Sequence, residues 1–192
     1  MRWLTLYLRC RGIPTSAGAA LAGVTVLWWL GQATDVPRLR LSIALLTVLV
    51  ATVVFGPGLA GADPALDRTA ALAWLPRRAA HILAVMATAA VVTTMPALVS
   101  EPVAAVEFLV RDAAGVGGLL ALGGVAWGAQ WAWLLPVGWT LTVLLSGPAS
   151  SPAYREVLTW MMQPAGTTSA TATAVTIAFV GVVTHAAFGG RR

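Results

Sequence analysis

Long runs of apolar residues, separated by short polar segments, dominate the sequence. A helix needs roughly 20 apolar residues to cross the hydrocarbon core of a bilayer. Six stretches approach or reach that length, at about residues 13–31, 41–59, 79–99, 108–127, 131–145 and 167–188. The pattern therefore predicts an all-α, polytopic membrane protein, a single transmembrane domain of residues 1–192 with six transmembrane helices.

The boundary between the fourth and fifth spans is inferred from length, because residues 113–154 contain no charged residue that would mark it. This region is too long for one membrane-crossing helix and just long enough for two. We divide it at the Gly-Ala-Gln sequence of residues 128–130. The segment before the sixth span is predicted to be folded, since Pro152 can start a short helix through Met161 and Pro164 with Gly166 can end it.

The first twelve residues, MRWLTLYLRCRG, place Trp3, Leu4, Tyr7 and Leu8 close to one helical face, with arginines at its edges. This arrangement predicts an amphipathic helix that lies in the membrane interface. Six spans place both termini on one side of the membrane. Eight arginines fall on that side and four on the other, so the positive-inside rule predicts cytoplasmic termini in the plasma (inner) membrane.

The most polar run, ADPALDRTAALAWLPRRAAH, lies between the second and third spans. Asp63 is a good N-cap and Pro64 a good first residue, so a short amphipathic helix is predicted from Asp63 to Leu75, ended by Pro76. It is either an interfacial helix resting on lipid, anchored by Arg77 and Arg78, or a docking element for a cytoplasmic partner. Both interpretations stay open on the residues alone.

Composition narrows the possible functions. The chain is 58% hydrophobic and 10% charged, and all twelve basic residues are arginine. The absence of lysine excludes a P-loop ATPase or a Schiff-base enzyme. One cysteine and two histidines disfavour a disulfide or a closed metal site. We expect no catalytic residues, no metal and no cofactor in this chain, and we attribute the net charge of +5 to membrane topology rather than to nucleic-acid binding.

Glu107 and Arg111 lie four residues apart and are predicted to form an intramembrane charge pair near the outer start of the fourth span, with Asp112 adjacent. An interfacial ion pair at a helix end, with no special role, is the favoured interpretation over a functional one. The other span centres are nearly free of ionisable groups. A proton relay is therefore not indicated, and any driving force is expected from another subunit.

A substrate path is a further hypothesis. Tryptophans around the fifth span and threonines of the sixth could line the route of an amphipathic molecule, although membrane anchoring and helix packing are the favoured interpretations. The residues of this hypothetical path are Trp127, Trp131, Trp133, Trp139, Thr171, Thr173 and Thr176. Gly124 and Gly128 form a G-x-x-x-G motif, which is typical of close helix packing.

Taken together, these features resemble the membrane subunit, or permease, of ABC exporters of the type V fold, which include exporters of O-antigen, drugs and antibiotics. The stretches LDRTAALAWLPRRAAHILA (residues 66–84) and VRDAAGVGGLLALGGVAW (residues 110–127) are also similar to small actinobacterial permease-like proteins. This chain is shorter than most members of the exporter family, so a reduced extracellular portion is expected.

The resemblance implies partners. The permease would pair with a second copy or a paralogous permease in the lipid bilayer and with two copies of an ATP-binding subunit, which would hold ATP and Mg²⁺. The segment after the second span would act as the coupling helix that contacts this ATPase. Its contact residues would be Asp63, Leu66, Asp67, Arg68, Ala70, Trp74, Arg77 and Arg78.

Two other functions are alternatives. One is the substrate-capturing membrane subunit of an energy-coupling-factor vitamin importer, which needs a polar pocket near the outer face; Glu107, Arg111 and Tyr154 are its candidates. The other is a membrane scaffold or immunity protein that performs no transport. A neighbouring ATPase favours the exporter, a bound vitamin favours the importer, and the absence of both favours the scaffold.

Overall fold

The computed structural model describes residues 12–60, 74–149 and 151–189. This part of the chain is helical and contains no β-strand. Its seven α-helices, with the bounds of each, are α1 (Ile13–Gln32), α2 (Pro37–Val53), α3 (Trp74–Thr94), α4 (Val106–Trp127), α5 (Leu134–Ser146), α6 (Ala153–Leu158) and α7 (Thr168–Phe188). Short 3-10 turns at Gly56–Leu59, Met95–Leu98, Ala129–Trp131 and Trp160–Met162 connect or extend them.

Five of the helices, α1, α2, α3, α4 and α7, are long and apolar enough to cross a membrane. This finding confirms the all-α class and is compatible with a multi-pass membrane protein. The fifth predicted span is different, since α5 has only 13 residues. At 1.5 Å per residue it is about 20 Å long, which is short of a full hydrocarbon core.

Prolines account for several helix boundaries. Pro37 occupies the first turn of α2, where its missing N–H costs nothing, so this helix begins four residues earlier than predicted. The prediction that Pro76 ends a preceding helix is wrong. Pro76 lies inside α3, whose described residues begin at Trp74, whereas the third span was predicted to begin at Ala79.

The ends of the helices define two ends of the bundle. At one of them, which we call the terminal end, the Ser16 hydroxyl of α1 donates to the Val54 carbonyl after α2 (2.8 Å). Gly189, which follows α7, lies at the same end beside the Arg78 guanidinium. At the opposite end, which we call the capped end, the Gln32 amide of α1 donates to the Glu101 carbonyl before α4 (2.9 Å).

Helix α4 is the centre of the bundle. In its most hydrophobic stretch 78% of the residues are buried, against 11% in α1 and 22% in α7. Its most extensive contact is with α7. At this crossing, a Cβ atom added to Gly118 would lie 2.5 Å from the carbonyl oxygen of Ile177. A Cβ atom added to Gly181 would lie 2.5 Å from the carbonyl oxygen of Gly118. The two backbones therefore touch because both positions are glycine.

The predicted G-x-x-x-G motif does not form this crossing. Gly124 packs against the side chains of Leu59 and Ala132. Gly128 ends α4 with a positive φ of 94°, a conformation that glycine adopts without steric cost. The expectation that Gly124 and Gly128 form one packing face is therefore wrong. The close helix contact is made by Gly118 and Gly181 instead.

Apolar side chains cover the outer surface of the bundle. Leu21 and Trp29 of α1, Val91 of α3, and Val175 and Phe179 of α7 are all more than half exposed. An apolar surface of this extent is unusual for a soluble monomer and fits contact with lipid.

Candidate functional site

The capped end is covered by a folded segment, residues 147–149 and 151–167, which we call the cap. The prediction that this segment is folded is confirmed: α6 occupies Ala153–Leu158 and a 3-10 turn follows at Trp160–Met162. All three residues of that turn are buried in the main apolar core. The Trp160 ring lies directly over Gly115 of α4, and it occupies the space that a side chain at position 115 would need.

Arg111 of α4 holds the cap to the bundle. Its guanidinium donates from Nη2 to the Gln163 carbonyl (3.0 Å) and from Nη1 to the Pro164 carbonyl (3.2 Å). Its plane also lies over the Phe108 ring, with Cζ 5.0 Å from the ring centroid. A planar guanidinium with several fixed donors suits such a junction, because it can bind two carbonyls and a carboxylate together.

The carboxylate partner of Arg111 is Asp112, its neighbour in sequence. Arg111 Nε lies 2.9 Å from Asp112 Oδ1 in the single ion pair found within the described ranges. Asp112 is 0% exposed, and Oδ2 has no hydrogen-bond partner in that part of the chain. Glu107, the predicted partner of Arg111, is exposed on the first turn of α4. The correction has a simple cause: Arg111 points inward to the cap, whereas Glu107 points outward.

Other hydrogen bonds fasten the cap along its length. The Gln163 amide donates to the Ala149 carbonyl (2.8 Å) and to the Thr159 hydroxyl (3.0 Å). The Trp139 indole of α5 donates to the Leu158 carbonyl (3.0 Å). The cap is therefore bound to α4 and α5 by polar contacts as well as by its buried Trp-Met-Met turn.

Beside the cap lies an open groove of about 460 Å³. Its polar lining residues are Arg40 of α2 and Glu101, and apolar side chains form the rest of its wall. The importer hypothesis placed a polar pocket at Glu107, Arg111 and Tyr154. Arg111 is instead bound to the cap and Tyr154 is exposed, so the structure does not assemble that pocket.

The hypothetical substrate path is divided between the two ends. Trp127, Trp131 and Trp133 are partly exposed at the terminal end, and the latter two rings pack 6.1 Å apart. Thr173 and Thr176 lie in the part of α7 that begins at the capped end. Their hydroxyls donate to the Ser169 and Ala172 carbonyls of the same helix. These tryptophans and threonines therefore do not line one common path through the bundle.

Most of the proposed coupling segment lies outside the described residues, including Asp63, Leu66, Asp67, Arg68 and Ala70. The described remainder, Trp74, Arg77 and Arg78, belongs to α3 at the terminal end. There the Arg77 guanidinium lies over the Trp74 ring, 5.9 Å from its centroid, and Arg78 is close to Gly189.

Sequence reasoning did not single out Trp160, Gln163 or Arg40. An apolar Trp-Met-Met run inside an otherwise polar connection was the available signal for a buried turn. Arg40 carried no comparable signal, because arginines near a helix start, here Arg38 and Arg40, are expected at any membrane interface.

Within the described ranges, no three His, Cys, Asp or Glu side chains lie close enough together to hold a metal ion. Comparison of the chain with protein-family models, with curated proteins and with solved structures finds no match. The fold itself defines the class that can be stated: an all-helical bundle with five helices suited to crossing a membrane.

Proposed function

We propose that the chain is the permease subunit of an ATP-driven ABC exporter that moves an amphipathic molecule out of the cell. The proposal is carried by one observation. The start of α1, the residues flanking segment 61–73 and the end of α7 all lie at the terminal end. A partner that engages segment 61–73 would therefore act at the same end as both chain termini, as the resemblance to exporters requires.

The proposal includes a sixth crossing through α5. The Ala129–Trp131 turn before this helix packs beside the turn at Gly56–Leu59, at the terminal end. Gly147, directly after the helix, lies beside the Arg38 guanidinium at the capped end. The 3-10 turn and α5 together thus extend from one end of the bundle to the other, which supports six passes. The distribution of arginines supports a cytoplasmic location for the terminal end.

Cysteine labelling tests this topology. In a Cys10→Ser background, Gln130→Cys and Ser146→Cys place single thiols at exposed positions before and at the end of α5. We expect a membrane-impermeant maleimide to label residue 146 only from outside the cell and residue 130 only in inverted vesicles. Labelling of both residues from the same side would show that α5 re-enters the membrane instead of crossing it.

The partner is tested by purifying the affinity-tagged chain from membranes of its own host in mild detergent. We expect an ATP-binding subunit to co-purify and to hydrolyse ATP. The double variant Asp67→Arg/Trp74→Ala should lose most of this subunit, at least about tenfold, because it alters charge and aromatic contact in the segment proposed to bind it. Trp131→Ala is the control, since Trp131 is a half-exposed tryptophan at the terminal end that lies outside the proposed coupling segment.

Equal retention of the ATPase by the double variant would contradict the coupling role of this segment. Absence of any ATP-binding protein would contradict the exporter itself. Recovery of a bound vitamin would then favour the importer, for which the groove beside Arg40 and Glu101 is the structural candidate. Recovery of another membrane protein alone would favour the scaffold.

A further inference from the structure

The groove at the capped end has the dimensions and location of a ligand site. Its volume of about 460 Å³ falls within the range common for small-molecule pockets. It opens to the outside of the bundle, where α2 begins. The residues that matter for its chemistry are Arg40, Leu41, Glu101 and Val103.

Arg40 brings unused hydrogen-bond donors to this groove. Its Nε is buried and has no hydrogen-bond partner within the described ranges. Its Nη2 makes one long bond, 3.4 Å to the Pro102 carbonyl. A guanidinium has five N–H donors, so Arg40 keeps terminal Nη donors besides this bond with which to bind an anionic group in the groove.

Glu101 presents the opposite charge to the same groove. Its carboxylate is exposed and forms no ion pair in the described part of the chain, where Arg111 and Asp112 make the one pair present. The backbone around it is fixed, since the Glu101 carbonyl accepts from Gln32 and the Pro102 carbonyl accepts from Arg40. The groove therefore displays a cation and an anion that do not neutralise each other by direct contact.

The remaining wall is apolar, with Leu41 and Val103 partly buried beside the two charges. Charge complementarity thus calls for a molecule with an anionic group, a cationic group and an apolar body. A site at the end of a helix long enough to cross a membrane is placed to meet the headgroup layer of the bilayer.

We propose that this groove binds the headgroup of an amine-bearing zwitterionic phospholipid, with its phosphate on Arg40, its ammonium on Glu101 and its chains beside Leu41. A primary ammonium can donate hydrogen bonds to the Glu101 carboxylate. A choline headgroup has no N–H group to donate to this carboxylate. An anionic lipid without an amine would place its negative charge near the Glu101 carboxylate, which would repel it. The site lies at the opposite end from segment 61–73 and does not depend on the proposed export function.

Lipid competition tests the proposal. The purified full-length chain is incubated with equimolar phosphatidylethanolamine, phosphatidylcholine and phosphatidylglycerol of identical acyl chains, and bound lipid is counted by native mass spectrometry. We expect phosphatidylethanolamine to be retained roughly tenfold over phosphatidylcholine, the effect of one charge-assisted hydrogen bond. Preferential retention of phosphatidylglycerol, or no preference among the three, would overturn the proposal.

Variants assign the preference to the two side chains. Arg40→Gln should lose both zwitterionic lipids, whereas Glu101→Gln should lower phosphatidylethanolamine to the level of phosphatidylcholine. Arg155→Gln removes an exposed arginine of the cap that does not line the groove, and it should bind as the parent does. Unchanged unfolding temperatures show that each variant is folded. A folded Arg40→Gln chain with parental lipid binding, or an equal loss in Arg155→Gln, would overturn the assignment.

A final experiment tests whether the groove binds a lipid or a soluble molecule with the same headgroup chemistry. Free phosphoethanolamine is added at increasing concentration to the lipid-bound chain. It should displace the lipid only in large excess, because it lacks the apolar body that contacts Leu41 and Val103. Displacement at concentrations similar to that of the lipid would identify the groove as a site for a soluble zwitterion and would refute the lipid.

Discussion

Replacing Arg111 with leucine is expected to detach the cap from α4 and to lower the free energy of unfolding by about 3–5 kcal/mol. The substitution removes the two bonds to the Gln163 and Pro164 carbonyls and leaves the Asp112 carboxylate buried without a partner. A buried charge that loses its partner is among the most destabilising changes a core can undergo. Thermal or denaturant unfolding in detergent measures the loss.

Two further variants make this test specific. Arg155→Leu removes an exposed arginine of the cap and should change stability by less than about 0.5 kcal/mol. The double variant Arg111→Leu/Asp112→Leu should recover part of the loss, because no unpaired charge remains buried. If Arg111→Leu is no less stable than Arg155→Leu, Arg111 does not hold the cap.

Gly118→Ala is expected to disrupt the crossing of α4 and α7. The new Cβ would stand 2.5 Å from the Ile177 carbonyl oxygen and 2.7 Å from the Ala178 Cα. These are backbone atoms, which cannot rotate away as a side chain could, so the helices must separate. Overpacking of this kind costs about 1–3 kcal/mol, and we expect the upper part of that range or more. Unfolding temperature in detergent measures the effect.

Gly138→Ala provides the matched control. Gly138 is also a glycine within a helix, α5, but a Cβ there would meet nothing within 4 Å. This substitution should be neutral or stabilising by up to about 1 kcal/mol, because alanine favours helix more than glycine does. Equal effects of the two substitutions would mean that the close approach of α4 to α7 does not contribute to stability.

The sequence alone determined the all-α class of the fold and the bounds of three of the seven described helices. Apolar runs of sufficient length located α1, α4 and α7 to within two residues at each end. This success follows from local physics, since a backbone in an apolar environment must satisfy its hydrogen bonds within each segment. The errors at Pro37 and Pro76 concern which helix each proline belongs to. A proline is compatible there both with ending one helix and with beginning the next.

Tertiary structure decided what the polar and small residues do. Arg111 was assigned to Glu107 by the local i, i+4 rule, yet it reaches carbonyls 52 and 53 residues away. Gly118 meets Gly181, and Gly115 receives Trp160, through contacts that no local spacing encodes. A sequence pattern reports which residues can share a helix face. The side chain that a residue meets across the bundle depends on how the helices cross and where the cap folds back, and only the assembled structure fixes that.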